Sequence, residues 1–192
     1  QSVCHGAETS SVDATGRRLI DQPGVPHRLE TRALTTLEQA CHAIASMQGR
    51  GAPLIGVTAA YGMYLALRAD PAQQVSASAS LLATRPTAVN LQWALDRVDG
   101  ALAGLAEAKR AAAALKLARQ MEAEDIATCA AIGTAGVTIL QQLWQQKADK
   151  DAPLNLLTHC NAGALAAVDW GTALAVVYKA AEAGIPIHVW AG

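Results

Sequence analysis

The stretch LNLLTHCNAGALAAVDWGTALAVVYKAAEAGIPIHVW, residues 154–190, decides the fold of this chain. It opens with LNLLT, a short apolar run typical of a buried strand, and it ends with IPIHVW, a second such run. Residues 172–183 between them have a helical pattern, and Gly184 stands where a helix C-cap belongs. This order predicts a βαβ unit with parallel strands and a right-handed crossover.

The part of the chain before this unit has a different character. It is rich in Ala, and aromatic residues make up 4% of the whole sequence, which favours closely packed helices. We predict a small β meander at residues 17–22 and 25–29, a helix capped by Thr35 or Thr36, and a buried helix from Pro53 onward. A further helix is predicted to open at Thr84-Arg85-Pro86, and the long run at 100–144 is predicted to be an amphipathic helix whose Glu122 faces water.

The predicted fold class is therefore α/β, in two parts. Residues 1–150 form an N-terminal, mostly helical domain with a small β meander, and residues 151–192 form the first βαβ unit of an incomplete Rossmann-like domain. Parallel sheets normally have more than two strands and are covered on both faces. We therefore expect a C-terminal segment, as a continuation of this chain or as a second chain, to complete the domain.

Composition, charge and cysteine spacing limit the kinds of partner and site that the chain is expected to have. The net charge of -1 gives no indication of a nucleic-acid or membrane-surface partner, and no uninterrupted apolar run is long enough to span a bilayer. The cysteines at positions 4, 41, 129 and 160 match no zinc spacing and are too few for a disulfide framework. A reduced, cytoplasmic setting is expected, and no metal or organic cofactor is indicated. We interpret Cys4 as incidental.

Three segments could carry chemistry. In GRGAPLIGVTAAYG, residues 49–62, Arg50 precedes a helix start, and helix N-termini bind phosphate. Arg85 stands at another predicted helix start, where a bound anion would offset the unfavourable helix dipole. Cys160 lies between a strand's carboxyl end and the next helix, where open α/β sheets bind ligands and a thiolate is favoured. The alternatives are two surface arginines and a structural cysteine, and we interpret His159 as a core histidine.

Four segments in a fixed order give a more specific indication. RGAPLIGVTAAYG, TRPTAVNLQWALDR, THCNAGALA and GTALAVVYKAAEAGIPIHVWA together resemble the methylthioribose-1-phosphate isomerases, of the superfamily that includes the eIF2B-type regulatory subunits. The resemblance covers residues 19–191, and the first 15 residues resemble nothing. It implies that Arg50, Gly51, Ala52 and Arg85 contact substrate and that Cys160 stabilises the transition state. The family's catalytic Asp, Gln and Asn-Lys pair would lie beyond residue 192.

The resemblance implies an activity as well. The expected reaction is the aldose-ketose isomerisation of 5-methylthioribose 1-phosphate in methionine salvage, by a cytoplasmic homodimer that needs no cofactor. Hydrogen would move as hydride, or as a proton through an enediolate. The chain by itself is expected to be incomplete for catalysis. The alternatives are a ribose-1,5-bisphosphate isomerase, which needs cations for a second phosphate, and a non-enzymatic eIF2B-type regulatory subunit.

Overall fold

A computed structural model describes residues 10–12 and 17–192, with side chains from residue 17 onward. Cys4 lies outside the described residues. The helices are α1 (Leu37–Ala45), α2 (Ala52–Ala69), α3 (Gln74–Thr84), α4 (Val89–Leu102), α5 (Glu107–Gln146) and α6 (Ala173–Glu182). The strands are β1 (Ser10–Val12), β2 (Arg17–Ile20), β3 (Thr31–Leu34), β4 (Leu154–Thr158) and β5 (Ile187–Ala191).

A three-stranded antiparallel sheet in the order β1-β2-β3 lies at the start of the described chain. The β2 strand was predicted, but the strand predicted at 25–29 is wrong, because β3 begins at Thr31 and pairs Leu19 with Arg32. Residues 25–29 belong to the connection, which starts with the short 3₁₀ turn Gln22–Gly24. Pro23 and Pro26 explain the difference, since proline has no N–H to donate to a strand ladder.

Helix α2 is the centre of the helical part. It is buried on nearly all sides and packs against α1, α3, α4 and α5, as its all-apolar sequence predicts. Thr36 caps α1 by accepting a hydrogen bond from the Gln39 N–H at 3.3 Å, which confirms one of the two predicted caps. Small residues on α2 allow these close contacts, and the Cβ that Gly62 lacks would lie 3.2 Å from Ala40.

The segment around Arg85 is a loop, so the helix start predicted at Thr84-Arg85-Pro86 is wrong. Thr84 is the last residue of α3, and its hydroxyl donates to the Leu81 carbonyl at 2.6 Å instead of capping a helix. Arg85 is outside the helical region, with φ of -150° and ψ of 77°, and α4 begins only at Val89. The reason is Pro86, because a residue that precedes proline is disfavoured in the α region.

Helix α5 runs along the whole molecule and joins its two parts. Its first half packs on α2 through Ala114, Ala118 and Met121. Glu122 does not face water as predicted, because it accepts hydrogen bonds from the buried Arg17 and from Tyr61. The second half of α5 is free of charged residues, and by length and composition α5 is the one helix in the described residues that could cross a bilayer. Its Thr, Gly and Gln residues interrupt the apolar run that the sequence analysis looked for.

The predicted parallel pair is confirmed. Strand β4 pairs with β5 from Leu154↔Ile187 to Thr158↔Ala191, and α6 forms the connection between them. Leu154, Leu156 and Ile187 pack toward Ala180 of α6 and Leu140 of α5. The prediction that β4 is a buried strand is wrong, because α5 and α6 cover one face of the pair and Leu157 on the other face is 83% exposed.

Candidate functional site

A cavity of about 590 Å³ lies where the start of α2, the α3–α4 loop and the segment after β4 meet. It contains every residue that the sequence analysis assigned to the site: Arg50, Gly51, Ala52, Arg85 and Cys160. Its remaining lining residues are Met47, Pro53, Asn161, Ala166, Ala167 and Thr172. Segments far apart in sequence thus form one pocket with two cations, one thiol and a largely apolar wall.

Gly51 forms the N-cap of α2 and lies directly against the segment after β4. Its φ of 114° is a conformation that residues with a side chain rarely adopt. A Cβ at this position would lie 2.3 Å from both the Cα and the carbonyl oxygen of Ala166. Glycine is therefore required for this close approach, which brings the positive end of the α2 dipole to the pocket wall.

Gln22 is a residue of the site that the sequence analysis missed. Its side chain is buried, and its Nε2 donates to the carbonyl oxygens of Leu165 at 2.5 Å and Arg50 at 3.3 Å. Its Oε1 accepts a hydrogen bond from the Nε of Arg50 at 3.2 Å. Gln22 lies at the end of the predicted meander, and no periodicity or motif there distinguishes a buried amide from a turn residue.

Arg85 contributes the second cation of the pocket. The residue is half-buried, and in the described part of the chain its guanidinium makes no hydrogen bond or ion pair. The neighbouring Asn90 ties the start of α4 to the start of α2, since its Nδ2 donates to the Ala52 carbonyl at 2.5 Å. This bond holds the two arginine-bearing loops beside each other and leaves Arg85 available to an anion.

Cys160 lies two residues after the end of β4 in a left-handed conformation, with φ of 69°. Its side chain is exposed, and its N–H donates to the Gly192 carbonyl at 3.1 Å. A non-glycine residue in this region is strained, and such strain is concentrated at functional sites. The adjacent His159 is exposed, so its interpretation as a core histidine is wrong.

The two remaining described cysteines differ from Cys160. Cys129 is buried in α5, and burial together with the nearby carboxylates of Asp125 and Asp169 raises its pKa to about 11. Burial, with a smaller contribution from Glu38, also raises the pKa of the half-buried Cys41. Both groups are therefore held as neutral thiols at physiological pH.

Hydrogen bonds and close contacts fix the pocket wall at residues 163–171. The Val168 N–H donates to Asp125 of α5 at 2.9 Å, and burial raises the pKa of that carboxyl group. Gly163 and Gly171 form a β-bridge, and a Cβ on Gly171 would lie 2.4 Å from the Gly163 carbonyl carbon. No group of three or more potential metal ligands occurs among the described residues. Arg50, Arg85 and Cys160 give the pocket groups that could bind an anion beside a thiol.

The fold and this site define an α/β protein with a pocket, lined by two arginines and a cysteine, between its two parts. Residues 48–192 match the initiation factor 2 subunit family, and the chain belongs to that family. Over 180 residues it is 53% identical to methylthioribose-1-phosphate isomerase from Methylocella silvestris, a match that covers 93% of this chain and 49% of the relative. The corresponding isomerase from Methylorubrum extorquens is 52% identical, over 93% of this chain and 48% of the relative.

Two solved structures share the fold. The crystal structure of 5-methylthioribose 1-phosphate isomerase from Pyrococcus horikoshii OT3 superimposes with a TM-score of 0.82 and 27% identity, over 99% of this chain and 52% of that one. The crystal structure of translation initiation factor eIF-2B subunit delta from A. fulgidus gives a TM-score of 0.79 and 35% identity, over 96% of this chain and 54% of that one. The predicted family resemblance and α/β fold class are confirmed, and the chain spans about half the length of these relatives.

Proposed function

We propose that this chain supplies the phosphate-binding arginines and the active-site thiol of a methylthioribose-1-phosphate isomerase. The reaction is the conversion of 5-methylthioribose 1-phosphate to 5-methylthioribulose 1-phosphate in methionine salvage. One observation carries the proposal: Arg50, Arg85 and Cys160 line a single pocket. The identity of more than half to isomerases over nearly all of this chain supports the same assignment.

The chemistry of this substrate fits the pocket. A phosphate on the anomeric oxygen prevents spontaneous ring opening, so the enzyme opens the ring and moves hydrogen between C2 and C1 with the phosphate attached. Arg85 and the terminal nitrogens of Arg50, none of which has a partner within residues 17–192, would hold the phosphate. Cys160 would then lie beside the reacting carbons, and Met47, Pro53 and Ala167 would exclude water from them.

The reaction also needs an acid for the ring oxygen. The described lining of the pocket includes no carboxylate. We therefore assign the acid to the half of the relatives' length that this chain does not span. Catalysis accordingly requires that segment together with the pocket described here.

The lining favours the methylthio substrate over ribose 1,5-bisphosphate. A second phosphate needs a second set of cations, whereas the described lining beyond Arg50 and Arg85 is neutral and mostly apolar. The structural likeness to an eIF-2B delta subunit keeps a regulatory role as the competing function. Turnover of the methylthio sugar phosphate distinguishes an enzyme from a regulatory sugar-phosphate binder.

Arg85→Ala provides the test. We expect the Kd of the purified protein for 5-methylthioribose 1-phosphate, measured by calorimetry, to rise about tenfold or more, the loss typical of one charged hydrogen-bonding partner. In an isomerase assay of the protein together with the relatives' remaining segment, KM should rise by a similar factor. Arg28→Ala is the control, because Arg28 is exposed on the turn before β3 and lies outside the pocket.

If Arg85→Ala binds the sugar phosphate as tightly as wild type and melts at the same temperature, Arg85 does not bind the phosphate and the proposal is wrong. Tighter binding of ribose 1,5-bisphosphate than of the methylthio sugar would favour the bisphosphate isomerase. Binding without turnover in the complete assembly would favour the regulatory role. We further propose, from the family resemblance, a homodimer in the cytoplasm, which light scattering and cell fractionation test.

A further inference from the structure

We propose that Gln22 is a positioning residue that fixes the Arg50 guanidinium for phosphate binding while leaving its charge uncompensated. The inference rests on the proposed function, and it assigns a role to a residue outside the motifs that the family resemblance covers. The Gln22 amide is 4% exposed, and both of its ends are hydrogen-bonded to residues of the pocket or its wall.

The Gln22 amide makes a set of three hydrogen bonds that few other side chains could make. Its Oε1 accepts from Arg50 Nε at 3.2 Å, while its Nε2 donates to Arg50 O at 3.3 Å and to Leu165 O at 2.5 Å. An amide is one of the few neutral side chains that accept at one end and donate twice at the other. One buried group therefore orients the arginine side chain, its backbone and the opposite wall of the pocket.

The backbone reinforces this placement. The Gln22 N–H donates to the Gln48 carbonyl at 3.1 Å, which anchors the 3₁₀ turn to the segment that carries Arg50. Gly51 follows at once and touches Ala166, next to the Leu165 carbonyl that Gln22 binds. Gln22 thus lies at the point where the loop before α2 meets the segment after β4.

The neutrality of this partner has an electrostatic consequence. A carboxylate in the same place would form an ion pair with Arg50 and compete with an incoming phosphate for the guanidinium. A neutral amide fixes the Nε edge and leaves the two terminal nitrogens with their full positive charge, and the structure shows no protein partner for either of them within residues 17–192. Arg50 is therefore oriented without being neutralised.

The experiment compares Gln22→Glu, Gln22→Leu and wild type in the full chain. NMR of the arginine Nε–H groups reports the Arg50 hydrogen bond, and the Arg50 signal is identified by its absence from the spectrum of Arg50→Lys. Calorimetry with 5-methylthioribose 1-phosphate reports binding. We expect Gln22→Glu to keep an acceptor for the Arg50 Nε–H but to weaken binding about tenfold. The new carboxylate competes for the cation, and its second oxygen faces the Arg50 and Leu165 carbonyl oxygens to which the amide donates. We expect Gln22→Leu to lose the ordered Nε–H signal and to weaken binding similarly. Gln142→Glu, on the exposed charge-free half of α5, is the control for added charge.

The outcomes separate this inference from the proposed function. If Gln22→Glu binds the sugar phosphate as tightly as wild type, or if the Nε–H signal of Arg50 survives in Gln22→Leu, the positioning role is wrong. If wild type fails to bind the sugar phosphate, the proposed function fails, and the NMR comparison still decides whether Gln22 orients Arg50. If Gln22→Leu does not fold, Gln22→Glu alone decides, since it keeps the acceptor and the size of the side chain.

Discussion

Cys160 combines three properties that no other described cysteine shares. It is exposed, it lines the pocket, and its backbone is in the left-handed region. The tight turn at the end of β4 requires this backbone conformation, which turns the chain from the strand into the pocket wall. A glycine would relieve the strain but would provide no thiol.

Selective labelling tests the accessibility of this thiol. In a Cys4→Ser background at pH 8, we expect iodoacetamide to modify Cys160 at least about tenfold faster than Cys41 or Cys129, because both of those thiols are shielded and have raised pKa values. Sugar phosphate should slow the reaction by occupying the pocket. Peptide mass spectrometry at timed intervals gives the three rates separately.

Cys160→Ser is the control for this experiment and should remove the fast phase. Equal rates at the three positions, or no protection by ligand, would favour the structural-cysteine alternative. Cys129 should give the slowest labelling rate of the three, because its pKa is about 11 and almost none of that thiol is ionised at pH 8.

At the scale of elements, the start of α2 lies directly against the segment after β4. Gly51 permits it both by its positive φ and by its missing Cβ. We expect Gly51→Ala to lower the free energy of unfolding by more than about 3 kcal/mol, since backbone strain and a clash with the Ala166 backbone act together. Urea denaturation followed by circular dichroism measures the loss.

Gly104→Ala separates the two causes. Gly104 also has a positive φ, of 75°, but no atom lies within 4 Å of the place where its Cβ would be. We expect this variant to lose only about 1 kcal/mol, the cost of a left-handed non-glycine residue. Similar losses in the two variants would mean that strain alone, and not the contact with Ala166, makes Gly51 necessary.

The sequence predicts elements better than it predicts their partners. The helices at α1, α2 and α6 and the β4–β5 pair are predictable because caps, apolar periodicity and glycine positions are local signals. The sequence predicts a helix start at Arg85, where the structure has a loop. A threonine with a proline two residues later, as in Thr84-Arg85-Pro86, also occurs where one helix ends before the next begins. Local pattern does not decide between these two cases.

The site was predictable in its motif residues and not in its supporting residues. Arg50, Arg85 and Cys160 lie in recognisable segments, and the structure brings all three to one pocket. Gln22 at the site and Glu122 in the core act through partners that are distant in sequence, so only the folded chain reveals them. Glu122 in particular looks like a solvated residue of a charged helix until Arg17 is seen beside it.

At the scale of the whole molecule, a buried charge network joins the small sheet to the helices. Arg17 of β2 is completely buried, its guanidinium lies 4.7 Å from the centre of the Tyr61 ring, and it bonds Glu122 of α5 at 3.2 Å. Tyr61 of α2 donates its hydroxyl proton to the same carboxylate at 2.5 Å. Desolvation lowers the pKa of Arg17, and the facing carboxylate compensates for part of that effect.

Removing one partner of this network should destabilise the fold strongly. We expect Glu122→Leu to cost about 3 kcal/mol or more, because it leaves the Arg17 charge buried beside a hydrocarbon side chain. The double variant Arg17→Met with Glu122→Leu should recover part of that loss, since no charge is then buried. Urea denaturation of the single and double variants gives the coupling energy between the two positions.

If the double variant loses as much free energy of unfolding as the two single variants together, the network is not coupled. A matched pair on the surface offers the reference: Arg97 and Glu124 form a two-bond ion pair between α4 and α5 that is partly exposed. We expect Glu124→Leu to cost no more than about 1 kcal/mol, because solvent screens an exposed pair.

The pocket between the two parts has a thermodynamic consequence. Arg50 and Arg85 belong to the helical part, whereas Cys160 and Ala166 belong to the segment after β4, so a ligand that fills the pocket would touch both at once. By mass action, a ligand that binds only the docked arrangement stabilises it in proportion to the logarithm of its concentration. A ligand in this pocket, which under the proposed function is the sugar phosphate, would thus act as a reversible cross-link that adds to the packing of α6 on α5.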